Sequence, residues 1–456
     1  MPEAEHRKAG KKLALGAFLH TDGHHIAAWR TPDAPPGAAF DFDHYVRLAQ
    51  SAERAKFDLV FLADSSSIRF PESPALHHTS RAAHLEPFTL LSALAPLTRR
   101  VGLVATASTT YNDPFNLARR FASLDLLSGG RAGWNLVTSV NEAEPFNFGL
   151  EAPLAHDERY RRAAEFAAVV EGLWDSWDEG AFHFDKAEGV YFDPAKLHAL
   201  DHRGPYFQVR GPLNVRPSPQ GRPVLVQAGA SPDGRDLAAR SAEVIFSAHQ
   251  TFAEAREFYA DVKGRLALYG REPDDLKILP GVLPVVGRTE AEAREKCDAL
   301  QALVDPVVGL SMLNTINAGV DLSTYPLDGP LPDLPESNSG KSRQRLLVDL
   351  ARRENLTIRQ LYLRIAGARG HWQIVGTAAQ IVDELEYHFV NGAADGFNVM
   401  PPQLPAGLDD FIALVVPELQ RRGLFRTEYE GKTLRDHLGL RRPPRRQVVP
   451  PAVAAE

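Results

Sequence analysis

Two short stretches carry the residue types that capture an anion. His156 and Tyr160 stand four apart at the start of a stretch with helical period, so both side chains share one face. Ser231-Pro232 follows Gly229: serine caps a helix, proline suits its first position, and glycine lets backbone approach a ligand. The unpaired N–H groups at such a helix start bind phosphate. The alternative for both stretches is an N-terminal turn with solvated side chains.

Other polar groups stand where apolar runs stop: Asp64 with Ser65, Ser66 and Ser67; Thr106 with Ser108, Thr109 and Thr110; Thr138 with Ser139; and Ser231 with Asp233. Each is equally acceptable as a helix cap or turn residue. Histidines cluster at His20, His24 and His25 and again at His77, His78 and His84, which raises zinc. A histidine pair four apart needs a helix to aim both rings one way, and Asp22-Gly23 breaks that turn. The single cysteine, Cys297, supplies neither a disulfide nor a thiolate cage, so no metal is expected and a reducing cytoplasm fits.

Several chemistries are excluded by what is missing. No two glycines lie two residues apart, so a G-x-G-x-x-G dinucleotide turn cannot occur. Gly340-Lys341 is not a phosphate loop, because Pro335 stands where its first glycine belongs, and no G-x-S-x-G serine elbow exists.

The elements that must position these groups read as βα units: a short apolar run, a turn, then a longer segment of helical period. Eight strands are expected, at Leu13 to Phe18, Asp58 to Asp64, Val101 to Ser108, Arg131 to Ser139, Pro223 to Gly229, Glu243 to His249, Leu276 to Gly287 and Gly396 to Pro401. Pro280 and Pro284 each remove a ladder donor from the seventh, so a bulge or shifted boundary is expected there. Between strands, Asp113 caps a helix opening at Pro114 with a face of Leu117, Phe121 and Leu124, and Ser128-Gly129-Gly130 ends it. Pro87 opens a helix with Leu90, Leu91, Leu94 and Leu97 at core spacing, Thr377 caps one carrying Ile381, Leu385 and Phe389, and another runs from His156 to Trp177.

Eight such units fit a closed (β/α)₈ barrel better than an open sheet, with polar strand ends on its functional face. The expected organisation is one barrel over residues 12–425, with long insertions at about 179–222 and 305–370, an N-terminal arm at 1–11 and a C-terminal tail at 426–456. Long excursions on a barrel usually build or cover the active-site face.

Composition agrees with this class. The 456 residues are 44% hydrophobic and 24% charged, with 51 basic and 58 acidic side chains and a net charge of -7, which excludes collagen-like, disordered and membrane-embedded chains. That balance gives no pull toward nucleic acid or anionic lipid. The one basic cluster, Arg441, Arg442, Arg445 and Arg446 around Pro443 and Pro444, is expected to be a solvated arm. Lys11 and Lys12 precede an apolar run as in a signal peptide, but the run from Leu13 to Leu19 is short and reads as the first strand.

A resemblance sharpens the reading. The runs Phe57-Asp58-Leu59-Val60-Phe61-Leu62-Ala63-Asp64 and Gly102 to Tyr111, the block Ala118 to Ser139 (ARRFASLDLLSGGRAGWNLVTS), and His156-Asp157-Glu158-Arg159-Tyr160 resemble the nitrilotriacetate monooxygenase branch of the bacterial luciferase-like superfamily. The likeness spans roughly Leu13 to Gly423 and is most specific in the long block.

It implies a TIM barrel that uses reduced FMN, delivered by a separate flavin reductase, to oxygenate a small organic molecule with O₂ through a flavin C4a-peroxide. The FMN contacts implied are Asp64, Thr106, His156, Tyr160 and Ser231. Ser231 and Tyr160 would hold the phosphate, Asp64 and Thr106 would border the isoalloxazine, and His156 would meet the ribityl chain or the phosphate. No side-chain acid or base is demanded, because the flavin carries the chemistry and the protein excludes water. Trp134, Phe146 and Phe148 are expected to help exclude it, with His20, His24, His25 and Trp29 on the substrate side. The resemblance also implies homo-oligomers and substrates ranging from aminopolycarboxylates to aryl sulfones, long alkanes and antibiotic precursors. Two other readings stay open: a deazaflavin-dependent hydride-transferring oxidoreductase, and a non-catalytic flavin-binding protein of the same fold.

Overall fold

The apolar runs form strands because both of their faces are covered, as in any parallel sheet wrapped by helices. In the computed structural model, which describes residues 10–68, 73–313, 319–335, 341–368 and 370–443, these strands begin with β1 (Ala14–Phe18), β2 (Leu59–Leu62), β3 (Gly102–Ser108) and β4 (Ala132–Val137). Two small antiparallel hairpins follow in the first excursion, β5 (Phe182–Asp185) with β6 (Val190–Phe192) and β7 (His202–Arg203) with β8 (Gln208–Val209). Then come β9 (Val224–Gln227), β10 (Val244–Ser247), β11 (Lys277–Gly287), β12 (Trp372–Thr377) and β13 (Gly396–Val399).

The parallel ring runs β1, β2, β3, β4, β9, β10, β11, β13 and back to β1, a closed eight-stranded barrel built from the eight runs read in the sequence. β12 is a ninth parallel strand that the sequence reading did not anticipate, paired along Val282 to Gly287 of β11. The expected bulge at the prolines is absent, and β11 is one continuous strand. Its register explains why. The carbonyls of Ile278 and Val282 accept from Asp395 and Met400, so Pro280 and Pro284, of the same parity, also face β13. There the ladder consists only of Gly281↔Asn398 and Val282↔Val399, and the missing donors fall on either side of it.

The helices begin where the sequence places them, but two end early: the Pro87 helix stops at Leu94, leaving Leu97, expected on its core face, exposed, and the His156 helix stops three residues short of Trp177. Asp113 accepts from the Asn116 N–H at the start of Pro114–Leu127, and Gly129 and Gly130 take positive φ beyond its end. Thr377 caps Ala378–Val390 in a capping box, and the helix opening at His156 runs to Trp174. The second excursion is itself helical, with Pro306–Leu313, Lys341–Arg353 and Ile358–Ala366 around a core that includes Leu313, Leu350, Leu361 and Tyr362. Among the described residues no helix is long and apolar enough to cross a membrane.

Trp134 was expected near the site but is wholly buried outside the ring, against Phe121, Phe166 and Trp174. Strand parity decides this, since Gly133 and Asn135 take the inward positions of β4. Phe146 and Phe148 stay exposed at 66% and 45%, so neither seals a pocket in this structure.

The described part of the C-terminal segment is a plug rather than an arm. Leu434, Leu438 and Leu440 pack beneath the interior layer of Val104, Val224 and Val244. A β-carbon at Gly102 would lie 2.5 Å from Leu434 Cδ1, so that close approach requires glycine. Arg441 pairs with Asp275 and Arg442 with Glu179, while Arg445 and Arg446 lie outside the described residues.

Candidate active site at the barrel mouth

Two cavities open side by side at the C-terminal ends of the strands. The first, about 310 Å³, is lined by the ends of β1 and β2, the segment from Ser73 to Leu90, and the helical excursion through Ser311, Met312, Leu347 and Ile365. The second, about 230 Å³, is lined by the ends of β2, β4 and β9 and by Tyr160. Asp64 and Ser65 belong to both walls.

Three of the expected residues meet at one helix start beside the second cavity. Ser231 caps Pro232–Ser241, its Oγ accepting from the Gly234 N–H at 3.1 Å with proline in the first turn. β-Carbons at Gly229 and Gly234 would lie 3.2 and 3.1 Å from the Tyr160 hydroxyl, so the phenol reaches this helix start only because both positions are glycine. The His156 and Tyr160 rings are 4.9 Å apart, as two residues one helical turn apart should be. His156 Nδ1 stands 3.3 Å from Asp157 and 3.4 Å from Asp233. This trio lies close enough to share a cation, but all three are exposed, and a carboxylate in the first turn of each helix is what the helix dipole favours.

Asp64 lies two residues beyond the end of β2, its Oδ1 accepting from His84 Nε2 at 3.2 Å. Thr106 is placed apart from these residues: 4% exposed inside the barrel, it donates to the Leu62 carbonyl and accepts from Asn135 Nδ2, each at 2.8 Å. It lies on the wall of neither cavity.

Of the residues expected on the substrate side, His20 lines the first cavity. His24 is fully buried edge-on to Phe18, and His25 is buried, which together with Arg81 lowers its pKa to about 4 and keeps it neutral. Trp29 is 40% exposed and lines neither cavity.

Several residues that no motif marked complete the site. Gln227, at the end of β9, lines the second cavity with its Oε1 buried and unpartnered, and Asn135 Oδ1 is buried and unpartnered inside the barrel. Glu144 accepts from the Ser66 N–H at 2.8 Å and Ser65 Oγ at 3.3 Å, while Asn141 donates to Ser65 and Ser67. Ser139, left-handed at φ 54, lies two residues beyond β4, and its carbonyl accepts from Arg159 Nη1 at 2.6 Å. Arg81 and Tyr45 line the first cavity, and burial pushes the Tyr45 phenol up to about 12. Ser139 was already among the polar strand ends read in the sequence; only strand-end position could have flagged Gln227, and long-range contacts place the rest.

This site is one that can hold a phosphate-bearing planar cofactor. A helix start with a phenol over it suits the phosphate. Buried acceptors without donors suit a ring bearing an N–H, because an unmade hydrogen bond at a buried acceptor is costly.

Comparison with known proteins agrees with that geometry. Residues 21–396 match the family model described as luciferase-like monooxygenase. The chain is 52% identical to N-acetyl-S-(2-succino)cysteine monooxygenase of Bacillus subtilis (strain 168) over 95% of its own length and 98% of the relative. It is 52% identical to nitrilotriacetate monooxygenase component A of Aminobacter aminovorans, again over 95% and 98%. Among solved structures it is similar to a riboflavin lyase, solved with modified FMN and its substrate riboflavin, at 32% identity and a TM-score of 0.83 over 94% of this chain and 96% of that one.

Proposed function

The chain belongs to the luciferase-like monooxygenase family, and from that premise we propose that it is a two-component monooxygenase, taking reduced FMN from a separate reductase and oxygenating a small organic molecule. The observation that carries this reading is the meeting of Tyr160, the Ser231-capped helix start and the unpartnered Gln227 acceptor around one cavity that adjoins a second through Asp64.

When bound, reduced FMN supplies the electrons that activate O₂. The chain binds, orients and shields. Ser231 and Tyr160 take the phosphate. His156, its Nδ1 between two carboxylates, stands beside it. Gln227 offers its buried oxygen to a ring N–H, and Asp64 separates the flavin side from the substrate side. Thr106 acts from within the barrel, its proton committed to Leu62, so any contact it makes is as an acceptor.

The first cavity is the proposed substrate pocket. Residues 12–425 are taken as one catalytic unit because the helical excursion contributes part of its wall. The 52% relatives are named for carboxylate-bearing substrates. Arg81, bonded through Nη2 to the His24 carbonyl, puts a positive charge on this wall, which favours a substrate of that class.

The test is anaerobic titration with reduced FMN. Ser231→Ala and Tyr160→Phe are each expected to weaken binding by about tenfold, the loss of one charge-assisted hydrogen bond. Unchanged affinity in both variants refutes this placement.

A further inference from the structure

The wall between the two cavities is held from both sides. On the flavin side, Glu144, itself 3% exposed, accepts from Ser65 and Ser66, and Asn141 binds Ser65 and Ser67. These bonds fix the turn that follows Asp64. On the substrate side, His84 lines the first cavity but not the second, and its Nε2 meets Asp64 Oδ1 at 3.2 Å. The pair is 28% and 23% exposed, open enough to exchange with solvent but fixed in direction.

From this geometry we infer that His84, held in one tautomer by Asp64, is the proton-exchanging residue of the substrate pocket, with Asp64 and Glu144 as its positioning residues. A neutral imidazole that donates Nε2–H to a carboxylate carries its lone pair on Nδ1. The proposal rests on the monooxygenase reading, in which substrate, O₂ and reduced flavin become oxygenated substrate, water and oxidised flavin. One oxygen atom forms the new bond to substrate and the other leaves as water. His84 Nδ1 takes up one of the two protons that the reduced flavin releases and passes it to the departing oxygen, which receives the other from solvent, so the residue ends each turnover as the neutral imidazole it began.

The other titratable groups on this wall are His20, Tyr45, Arg81 and Asp64. The Tyr45 phenol, pushed up to about 12, stays protonated, and Arg81 stays charged. Asp64 acts as the carboxylate partner. His20 Nδ1 lies 3.2 Å from the Thr21 hydroxyl and is the rival imidazole.

Two measurements test the inference. In ¹⁵N NMR of the resting protein, neutral His84 is expected to carry its proton on Nε2, and Asp64→Asn is expected to change that signal. A proton on Nδ1 in the wild type overturns the proposal. In stopped flow, protein loaded with reduced FMN is mixed with O₂ at pH 6 to 9. The wild-type reoxidation rate is expected to vary by at least about tenfold, as general acid catalysis does, and by less than about twofold in His84→Gln. Superimposable profiles, or a pH limb lost in His20→Gln and kept in His84→Gln, overturn it. If wild-type reduced FMN does not react at the site, the monooxygenase reading fails instead, while the tautomer still reports on the Asp64–His84 pair.

Discussion

At the floor of the barrel, Arg435 and Glu243 form an ion pair with side chains only 3% and 9% exposed, and Arg426 meets the fully buried Asp58 at 2.5 Å. Asp125 accepts there from Ser218, Gln220 and the Ala132 N–H. At the mouth, Asp64 and His84 remain partly open, Gln227 keeps an unpartnered oxygen, and Ser139 holds a left-handed backbone. The floor's ion pairs and Asp125 find their partners within the chain, with the buried ring nitrogens of His437 as the exception, and the mouth leaves several acceptors for something else. The same eight strands thus supply stability at one end and a binding surface at the other, a division TIM barrels share.

The comparison is most easily broken at the floor. Glu243→Ala would leave Arg435 buried without its carboxylate and is expected to cost about 3 to 5 kcal/mol of stability, read by denaturant unfolding. Burial alone would raise the Glu243 pKa, but Arg435 outweighs it and holds the carboxyl below its ordinary value. Reduced-FMN affinity of the folded variant should be unchanged.

The next effect is one of pH. Burial first, then the Arg426 charge, lowers the His437 pKa from 6.5 to about 4. The folded state therefore binds this proton less well than the unfolded chain. The stability it contributes is complete above pH 6.5 and is lost as pH falls toward 4. By pH 5 the loss is on the order of 2 kcal/mol. Asp58 and Asp125, raised to about 6 by burial, act oppositely, since the folded state holds their protons more tightly up to that pH. His437→Gln should accordingly shrink the drop in Tm between pH 7 and pH 5, and an unchanged drop would contradict the assignment.

At the mouth affinity is expected to change more than stability. Ser231→Ala and Tyr160→Phe should each lose about 1.4 kcal/mol of reduced-FMN binding, the tenfold already stated; Tyr160→Phe should leave Tm nearly unmoved, while Ser231→Ala also gives up a helix cap worth about 1 kcal/mol. The smallest effect is expected at Asp233, whose carboxylate lies 3.4 Å from His156 beside the proposed phosphate site. Asp233→Asn should tighten reduced-FMN binding by about two- to threefold, the size of an exposed charge interaction, and a weakening would show that the carboxylate supports the site.

The barrel was legible in the sequence because each of its eight strands is an apolar run buried on both sides, and because caps such as Asp113 and Thr377 act locally. β12 was not, because it pairs on one side only and mixes Gln373 and an exposed Val375 with its apolar residues. The prolines of β11 suggested a break that the partner change at Gly281 makes unnecessary. Trp134 shows that composition near a strand end does not reveal which way a side chain points. At the candidate site, the placing of Ser231, Tyr160 and His156 on helix starts could be read because helix starts have local rules. Glu144, Gln227 and the His84–Asp64 contact could not, since each depends on residues brought together from distant strands or loops.

The most direct measurement is rapid mixing of the protein–reduced FMN complex with O₂ while the flavin spectrum is recorded. A flavin held and shielded at the barrel mouth is expected to pass through a persistent form distinct from both reduced and oxidised FMN before oxidised FMN appears. Direct one-step conversion at the rate of free reduced FMN would contradict the account.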